Sequence, residues 1–122
     1  MKVKIDTKEK FHVITPEEPI ISANMTEELN QMLLLYLKKE IKNIILKLGQ
    51  VKDINKSAAE TIFSLQQTFN DKNASFVICE MQKPVEDIFE QLELVEVLNI
   101  TPTESEAWDI VQMEEIEREF LD

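Results

Sequence analysis

Few side chains in this sequence are of the types that catalyse reactions or bind metal ions. The only histidine, His12, lies in a predicted strand without an identifiable proton-transfer partner, and the only cysteine, Cys79, ends an apolar run typical of a buried, unreactive thiol. One histidine and one cysteine cannot form a closed zinc site, and one glycine, Gly49, cannot form a glycine-rich phosphate loop. A phosphoaspartate site of receiver type needs several acidic residues at strand ends, and Asp53 is the only candidate near the central strand. We therefore expect no enzyme activity, no metal and no cofactor.

Ser57 is the side chain best placed to take part in chemistry. The segment 57–60, Ser-Ala-Ala-Glu, is a capping box and predicts Ser57 as the N-cap of a helix. The apolar run Ile44–Leu48 predicts a strand buried on both faces, and in the polar loop that follows, Val51 and Ile54 are expected to anchor inward. The Ser57 hydroxyl should then lie beyond the carboxyl end of a central strand, where open α/β sheets place functional groups.

The other elements are predicted from apolar periodicity and from helix-start residues. Strands are predicted at Val3–Ile5, Phe11–Ile14, Ser75–Cys79 and Leu94–Ile100, the first two as a hairpin. Helices are predicted to start at Asn24, Ser57 and Thr103, and another helix is predicted with Pro84 in its first turn. The order β-β-α-β-α-β-α-β-α predicts an α/β fold with a mixed, mostly parallel sheet of about five strands and four helices. We expect residues 1–122 to form one domain, with 103–122 as an acidic C-terminal helix.

Two apolar stretches bear on how the helices pack. In the last helix, a stripe at helical spacing is predicted to face the core: Ala107, Ile110, Met113, Ile116 and Phe120. In the first helix, Leu34 and Leu35 widen the apolar face. This widening indicates either broader burial under neighbouring elements, which we favour, or a patch that faces a partner.

Charge and composition limit the cellular location and the classes of partner that the sequence predicts. The net charge of −11 argues against binding to nucleic acid, which requires clustered lysine and arginine. A single cysteine, the absence of a signal-peptide pattern and a longest apolar run too short to span a bilayer predict a cytoplasmic protein without a membrane span. Residues 101–122 carry 1 basic and 8 acidic side chains, a net charge of −7 that indicates a solvated face or a surface that steers a basic partner.

The order of elements and two segments resemble the STAS domain, the fold of bacterial anti-sigma factor antagonists. Residues Ile21–Leu29 match the Ala, Asn and Glu-Leu positions of the segment that follows the second strand in that family. Residues Ile44–Ala58 align without a gap to the family's signature strand and loop. Within that signature Asn55, Lys56 and Ala58 stand where the family has Asp, Ser and Gly.

The resemblance implies a regulatory protein-binding domain. By position, Ser57 corresponds to the serine that a partner kinase phosphorylates, and the implied partner is an anti-sigma factor or serine kinase-like regulator. The residues expected to contact it are Asn24, Asp53, Asn55, Lys56, Ser57, Ala58, Glu60 and Thr61. One alternative is a scaffold subunit of a larger transport or stress-signalling assembly without phosphorylation, which Lys56 and Ala58 favour. A small-molecule sensor or enzyme has only the general support of an α/β crevice.

Overall fold

The computed structural model describes residues 1–121, so Asp122, the last residue of the predicted C-terminal helix, lies outside it. Seven strands and four α-helices follow one another in the described chain. The strands are β1 (Val3–Thr7), β2 (Phe11–Pro16), β3 (Ile20–Ile21), β4 (Asn43–Lys47), β5 (Asp53–Ile54), β6 (Phe76–Cys79) and β7 (Ile100–Thr101). The helices are α1 (Ala23–Leu34), α2 (Lys56–Asp71), α3 (Lys83–Gln91) and α4 (Glu104–Leu121), with a 3₁₀ turn at Leu35–Lys38.

The main sheet has the predicted architecture. Its strand order is β1-β2-β4-β6-β7, with β1 antiparallel to β2 and the other pairs parallel. The strand predicted at Ile44–Leu48 is β4, and it lies at the centre of this sheet. The hairpin, the mostly parallel sheet of five strands and the four helices are therefore confirmed.

The two faces of the sheet carry separate cores because successive side chains of a strand point to opposite sides. On one face, Ile44, Leu46, Phe76 and Ile78 lie in the larger cluster with the buried residues of α1, α2 and α3. On the other face, Ile45 and Val77 contact the buried part of α4 in a smaller cluster. The sheet is thus covered on both sides, as its continuously apolar central strands indicate.

The strand predicted at Leu94–Ile100 is wrong for most of its length. Residues 92–98 form turns, and only Ile100 and Thr101 pair with β6. Glu93 has a φ of 59°, which ends the helical stretch after α3. Leu94 and Leu98 are buried one helical turn apart. The apolar residues of this segment therefore pack a compact turn against the core and do not pair with a neighbouring strand.

The predicted inward stripe of α4 is also wrong in its second half. Ala107 and Val111 are buried against the sheet, and Ile110 is half-buried, but Met113, Ile116 and Phe120 are exposed. In the first helix region, Leu34 is half-buried as favoured, whereas Leu35, the first residue of the 3₁₀ turn, is exposed.

Candidate functional site

The helix that carries Ser57 is capped by a different residue from the predicted one. Asn55 has extended backbone angles, φ −83° and ψ 162°, and its Oδ1 accepts the backbone N–H of Ala58 at 2.8 Å. Asn55 is therefore the N-cap of α2, and Ser57 lies two residues into the helix. The Ser57 hydroxyl donates to the same Oδ1 at 3.0 Å. Asparagine and serine are about equally good caps, so the choice depends on where the backbone leaves the extended region.

The start of α1 shows the same correction. Asn24 was predicted as the N-cap, but the Ser22 side chain accepts the Met25 N–H at 3.3 Å, and its backbone carbonyl accepts the Thr26 hydroxyl at 2.7 Å. Asn24 is the second residue of α1. It therefore holds the position in α1 that Ser57 holds in α2.

Two short strands place these helix starts side by side. β3 and β5 pair in parallel with Ile20 opposite Asp53 and Ile21 opposite Ile54. The backbone N–H of Asn55 also donates to the Ile21 carbonyl at 3.4 Å. Because each strand runs directly into its helix, the two N-termini open onto one surface. Sequence patterns missed this pairing because a strand of two residues has no measurable periodicity.

The residues predicted to contact a partner mostly lie on that surface. Asn24, Asp53, Asn55, Lys56, Ser57 and Glu60 are exposed, and Thr61 is half-buried with its hydroxyl bonded to the Ser57 carbonyl at 3.0 Å. Ala58 is the exception, because its side chain is fully buried in the larger core cluster. Its methyl group faces the interior, so replacing the family's glycine does not alter the shape of the outer surface. Ile20, which sequence reasoning did not select, adds an exposed apolar side chain opposite Asp53.

The core below this surface holds it in place. Val51, Ile54, Ala59 and Ile62 are buried in the larger cluster, as expected for the first two. The backbone N–H groups of Lys52 and Asp53 donate to the Pro19 carbonyl at 2.7 and 3.1 Å. The loop between β4 and α2 is thus tied to the segment before α1 and to the sheet.

The electrostatics of the surface are mixed. Lys56 adds a cation beside Ser57, whereas Asp53 and Glu60 add carboxylates. The first N–H groups of a helix have no partner within it, so the start of α2 favours a negative group placed near Ser57. A hydroxyl here is accessible and hydrogen-bonded, and no basic side chain is positioned by the described contacts to remove its proton.

The other groups capable of chemistry have structural roles. His12 Nδ1 is 2.8 Å from the Thr7 hydroxyl, and its Nε2 is 3.0 Å from the Ile41 carbonyl. Burial raises the pKa of the Cys79 thiol to about 12, and nearby Glu80 and Glu104 act in the same direction. Both residues are buried. Burial was predicted for Cys79 and was compatible with the predicted strand position of His12.

Comparison with known proteins assigns the fold. The sequence model of the STAS domain matches residues 2–107. No curated protein sequence matches the chain. A Thermotoga maritima protein assigned as an anti-sigma factor antagonist superposes with a TM-score of 0.82 at 17% identity, over 90% of this chain and 94% of that chain.

Structures of two further proteins show the range of proteins with this fold. The anti-sigma factor antagonist SpoIIAA, in its unphosphorylated form, gives a TM-score of 0.73 at 13% identity, over 91% of this chain and 96% of that chain. Its phosphorylated form from Bacillus gives 0.67 at 12% identity, over 90% and 99% of the two chains. The murine anion transporter Slc26a9 gives 0.70 at 13% identity, over 85% of this chain but only 18% of that chain.

No helix among residues 1–121 combines the length and the apolar character needed to cross a bilayer.

The family match covers the sheet, the first three helices and the paired helix starts that carry Ser57. The chain belongs to the STAS domain family.

Proposed function

We propose that this protein is a non-enzymatic regulator that binds an anti-sigma factor or a serine kinase-like regulator in the cytoplasm. The proposed contact surface, called the helix-start surface below, consists of Ile20, Asn24, Asp53, Asn55, Lys56, Ser57, Glu60 and Thr61. The observation that carries the proposal is the exposed Ser57 hydroxyl in the first turn of α2. The sequence resemblance aligns this residue with the serine that is phosphorylated in the family. The solved relatives named as anti-sigma factor antagonists support the class of partner.

Phosphorylation of Ser57 would act as a switch on this surface. A phosphate adds about −1.5 to −2 charges at neutral pH. The N-terminus of α2 and the adjacent Lys56 favour that charge, and Glu60, three residues further on, opposes it. The ester removes the hydroxyl donor to Asn55, but the Asn55 cap on Ala58 does not depend on that donor. We therefore expect a changed partner affinity in a domain that stays folded.

A binding experiment with matched variants tests this proposal. The full chain would be incubated with ATP-dependent anti-sigma factor kinases, and the affinities of wild type, Ser57→Ala and Ser57→Asp compared by calorimetry. We expect binding by wild type and by Ser57→Ala, and at least about tenfold weaker binding by Ser57→Asp, since charge placed in a docked surface costs more than 1.4 kcal/mol.

The control uses a second exposed serine of the same helix. Ser64 lies two turns beyond Ser57 and outside the helix-start surface. Ser64→Asp should bind like wild type. Equal affinities for wild type and both Ser57 variants would rule out the phosphorylation switch. The absence of binding to any such kinase would rule out the proposed partner.

A second function is favoured by the exposed Lys56. This cation replaces a serine of the family signature beside the acceptor, and the murine transporter shows that the fold also occurs as a small part of a larger chain. In this alternative the domain is an unphosphorylated scaffold subunit of a transport or stress-signalling assembly. Intact-mass spectrometry of the protein isolated from its own cells distinguishes the two, since a fraction phosphorylated at Ser57 contradicts the scaffold.

A further inference from the structure

The C-terminal half of α4 is held on the sheet by polar contacts instead of apolar ones. Beyond Val111 its inward side chains are hydrophilic: Glu114 accepts from Asn99 at 3.2 Å, Glu115 accepts from Asn43 at 2.7 Å, and Arg118 donates to the Ser75 hydroxyl at 3.1 Å. These bonds set the rotation of the helix about its axis. The apolar residues of this half must then point away from the sheet.

An apolar stripe therefore lies on the outer face of α4. Met113, Ile116 and Phe120 are 58%, 52% and 86% exposed, and their spacing of three and four residues places them in one line. We call these three residues the outer stripe. Single exposed apolar residues are ordinary, but an aligned set on one helix face indicates an interaction site. The family match ends at residue 107, so the outer stripe lies beyond the matched residues.

The surroundings of the outer stripe are negatively charged. Asp109 lies one turn before Met113, and helical geometry places Glu117 and Glu119 on opposite sides of Ile116. These three carboxylates are exposed, and among residues 1–121 they take part in none of the ion pairs. The one cation of this region, Arg118, is turned towards the sheet and pairs with Glu115. No side chain of the described part of α4 neutralises the three carboxylates that border the outer stripe.

We propose that the outer stripe binds an amphipathic helix of another protein whose apolar face is bordered by lysine or arginine. Apolar contact supplies the affinity, and the carboxylates select the basic border. A second copy of this chain is a poor occupant, because pairing two such helices brings together two segments of net charge −7. The site is separate from the helix-start surface, so it does not depend on the proposed role of Ser57.

The test uses two synthetic helical peptides of about five turns with the same leucine face. One has lysine along both borders of that face, and the other has glutamate at the same places. Each is titrated into the isotope-labelled full chain, with affinity measured by fluorescence anisotropy and the site mapped from amide chemical shifts. The lysine peptide should bind with shifts concentrated at residues 109–120, and raising the salt from about 0.05 to about 0.5 M should weaken it.

Matched variants distinguish specific binding at the outer stripe from nonspecific binding elsewhere on the protein. Met113→Gln combined with Ile116→Gln should weaken the lysine peptide by about tenfold or more, as expected for two central apolar contacts. Leu35→Gln combined with Val97→Gln changes two residues that are each 57% exposed elsewhere and should alter the affinity by less than about twofold. Circular dichroism establishes that both variants are folded.

Four outcomes overturn the proposal. These are equal binding of the glutamate peptide, no binding of the lysine peptide, equal weakening by the control variant, and shifts located away from α4. Sedimentation gives a further one, since a concentration-dependent dimer abolished by the Met113 and Ile116 changes assigns the outer stripe to self-association.

Discussion

The hydroxyl of Ser57 donates a hydrogen bond to Oδ1 of Asn55, 3.0 Å away, and the same oxygen caps α2 by accepting the Ala58 N–H. One amide oxygen thus holds both the helix start and the side chain proposed as the phosphate acceptor. The two roles belong to different residues, because Asn55 provides the cap and Ser57 provides the exposed hydroxyl. This arrangement allows the hydroxyl to be modified without removing the cap.

Stability measurements on the two helix starts distinguish the caps from their neighbours. Asn55→Ala and Ser22→Ala should each lower the free energy of unfolding by about 1 kcal/mol, since each exposes a first-turn N–H without its acceptor. Ser57→Ala and Asn24→Ala remove exposed side chains within the helices and should cost at most about 0.5 kcal/mol. Urea unfolding followed by circular dichroism gives the four values. A larger loss for Ser57→Ala than for Asn55→Ala would contradict the cap assignment.

Asn43 joins the sheet to α4, and its replacement should be costly. Its Oδ1 accepts the buried Ser75 N–H at 2.7 Å, and its Nδ2 donates to the Lys10 carbonyl and to Glu115. Asn43→Ala leaves these groups without their partner in a buried setting, so we expect a loss of about 1–3 kcal/mol in urea unfolding. Asn70→Ala, at an exposed position of α2, is the control and should have a far smaller effect. Equal midpoints for the two variants would show that the Asn43 bonds are unimportant.

Glu115 should make stability depend on acid pH. The hydrogen bond from Asn43, assisted by Arg118, holds the pKa of the Glu115 carboxyl below its ordinary value of 4.5. A lowered folded-state pKa means that the unfolded chain binds protons first, so the contribution is complete above pH 4.5 and is lost as pH falls below it.

The Glu115→Gln variant tests that dependence. It should be less stable than wild type at neutral pH, and the difference should shrink as the pH is lowered through the acid range. Denaturant unfolding at a series of pH values measures the difference. Glu119→Gln removes an equal charge from the exposed side of α4 without touching Asn43 or Arg118 and serves as the control. A gap between wild type and Glu115→Gln that stays constant in acid would refute the assignment.

Cys79 should be inert in the native protein. Its sulfur is fully buried, and burial raises its pKa to about 12, so little thiolate forms near neutral pH. Labelling by a thiol reagent should be slow in buffer and fast in denaturing urea. A Cys79→Ala protein carrying Ser64→Cys, with its thiol on the exposed side of α2, should label quickly in buffer. Rapid native labelling of wild type would contradict the burial.

Local patterns predicted most of the fold. The apolar run in β4, the alternating residues of the hairpin and the capping box at Thr103 are properties of a few neighbouring residues. Each gives the predicted element, including the Thr103 hydroxyl that accepts the Glu106 N–H at 3.2 Å. Pro84 lies in the first turn of α3 as expected, because its missing N–H has no helical partner there.

The sequence by itself determined the order of the five main-sheet strands and the four helices, the central strand and the position of Ser57 near a helix start, since these depend on short-range apolar spacing and turn chemistry. Only the tertiary structure decided which polar residue caps α2, how β3 pairs with β5 and which face of α4 meets the sheet. Those outcomes depend on groups far apart in the chain: Asn55 meets Ile21, and Arg118 meets Ser75. Apolar spacing alone predicted that Met113 and Phe120 face inward. In the structure, Asn43 and Ser75 form hydrogen bonds with the opposite face of the helix, and Met113 and Phe120 are exposed.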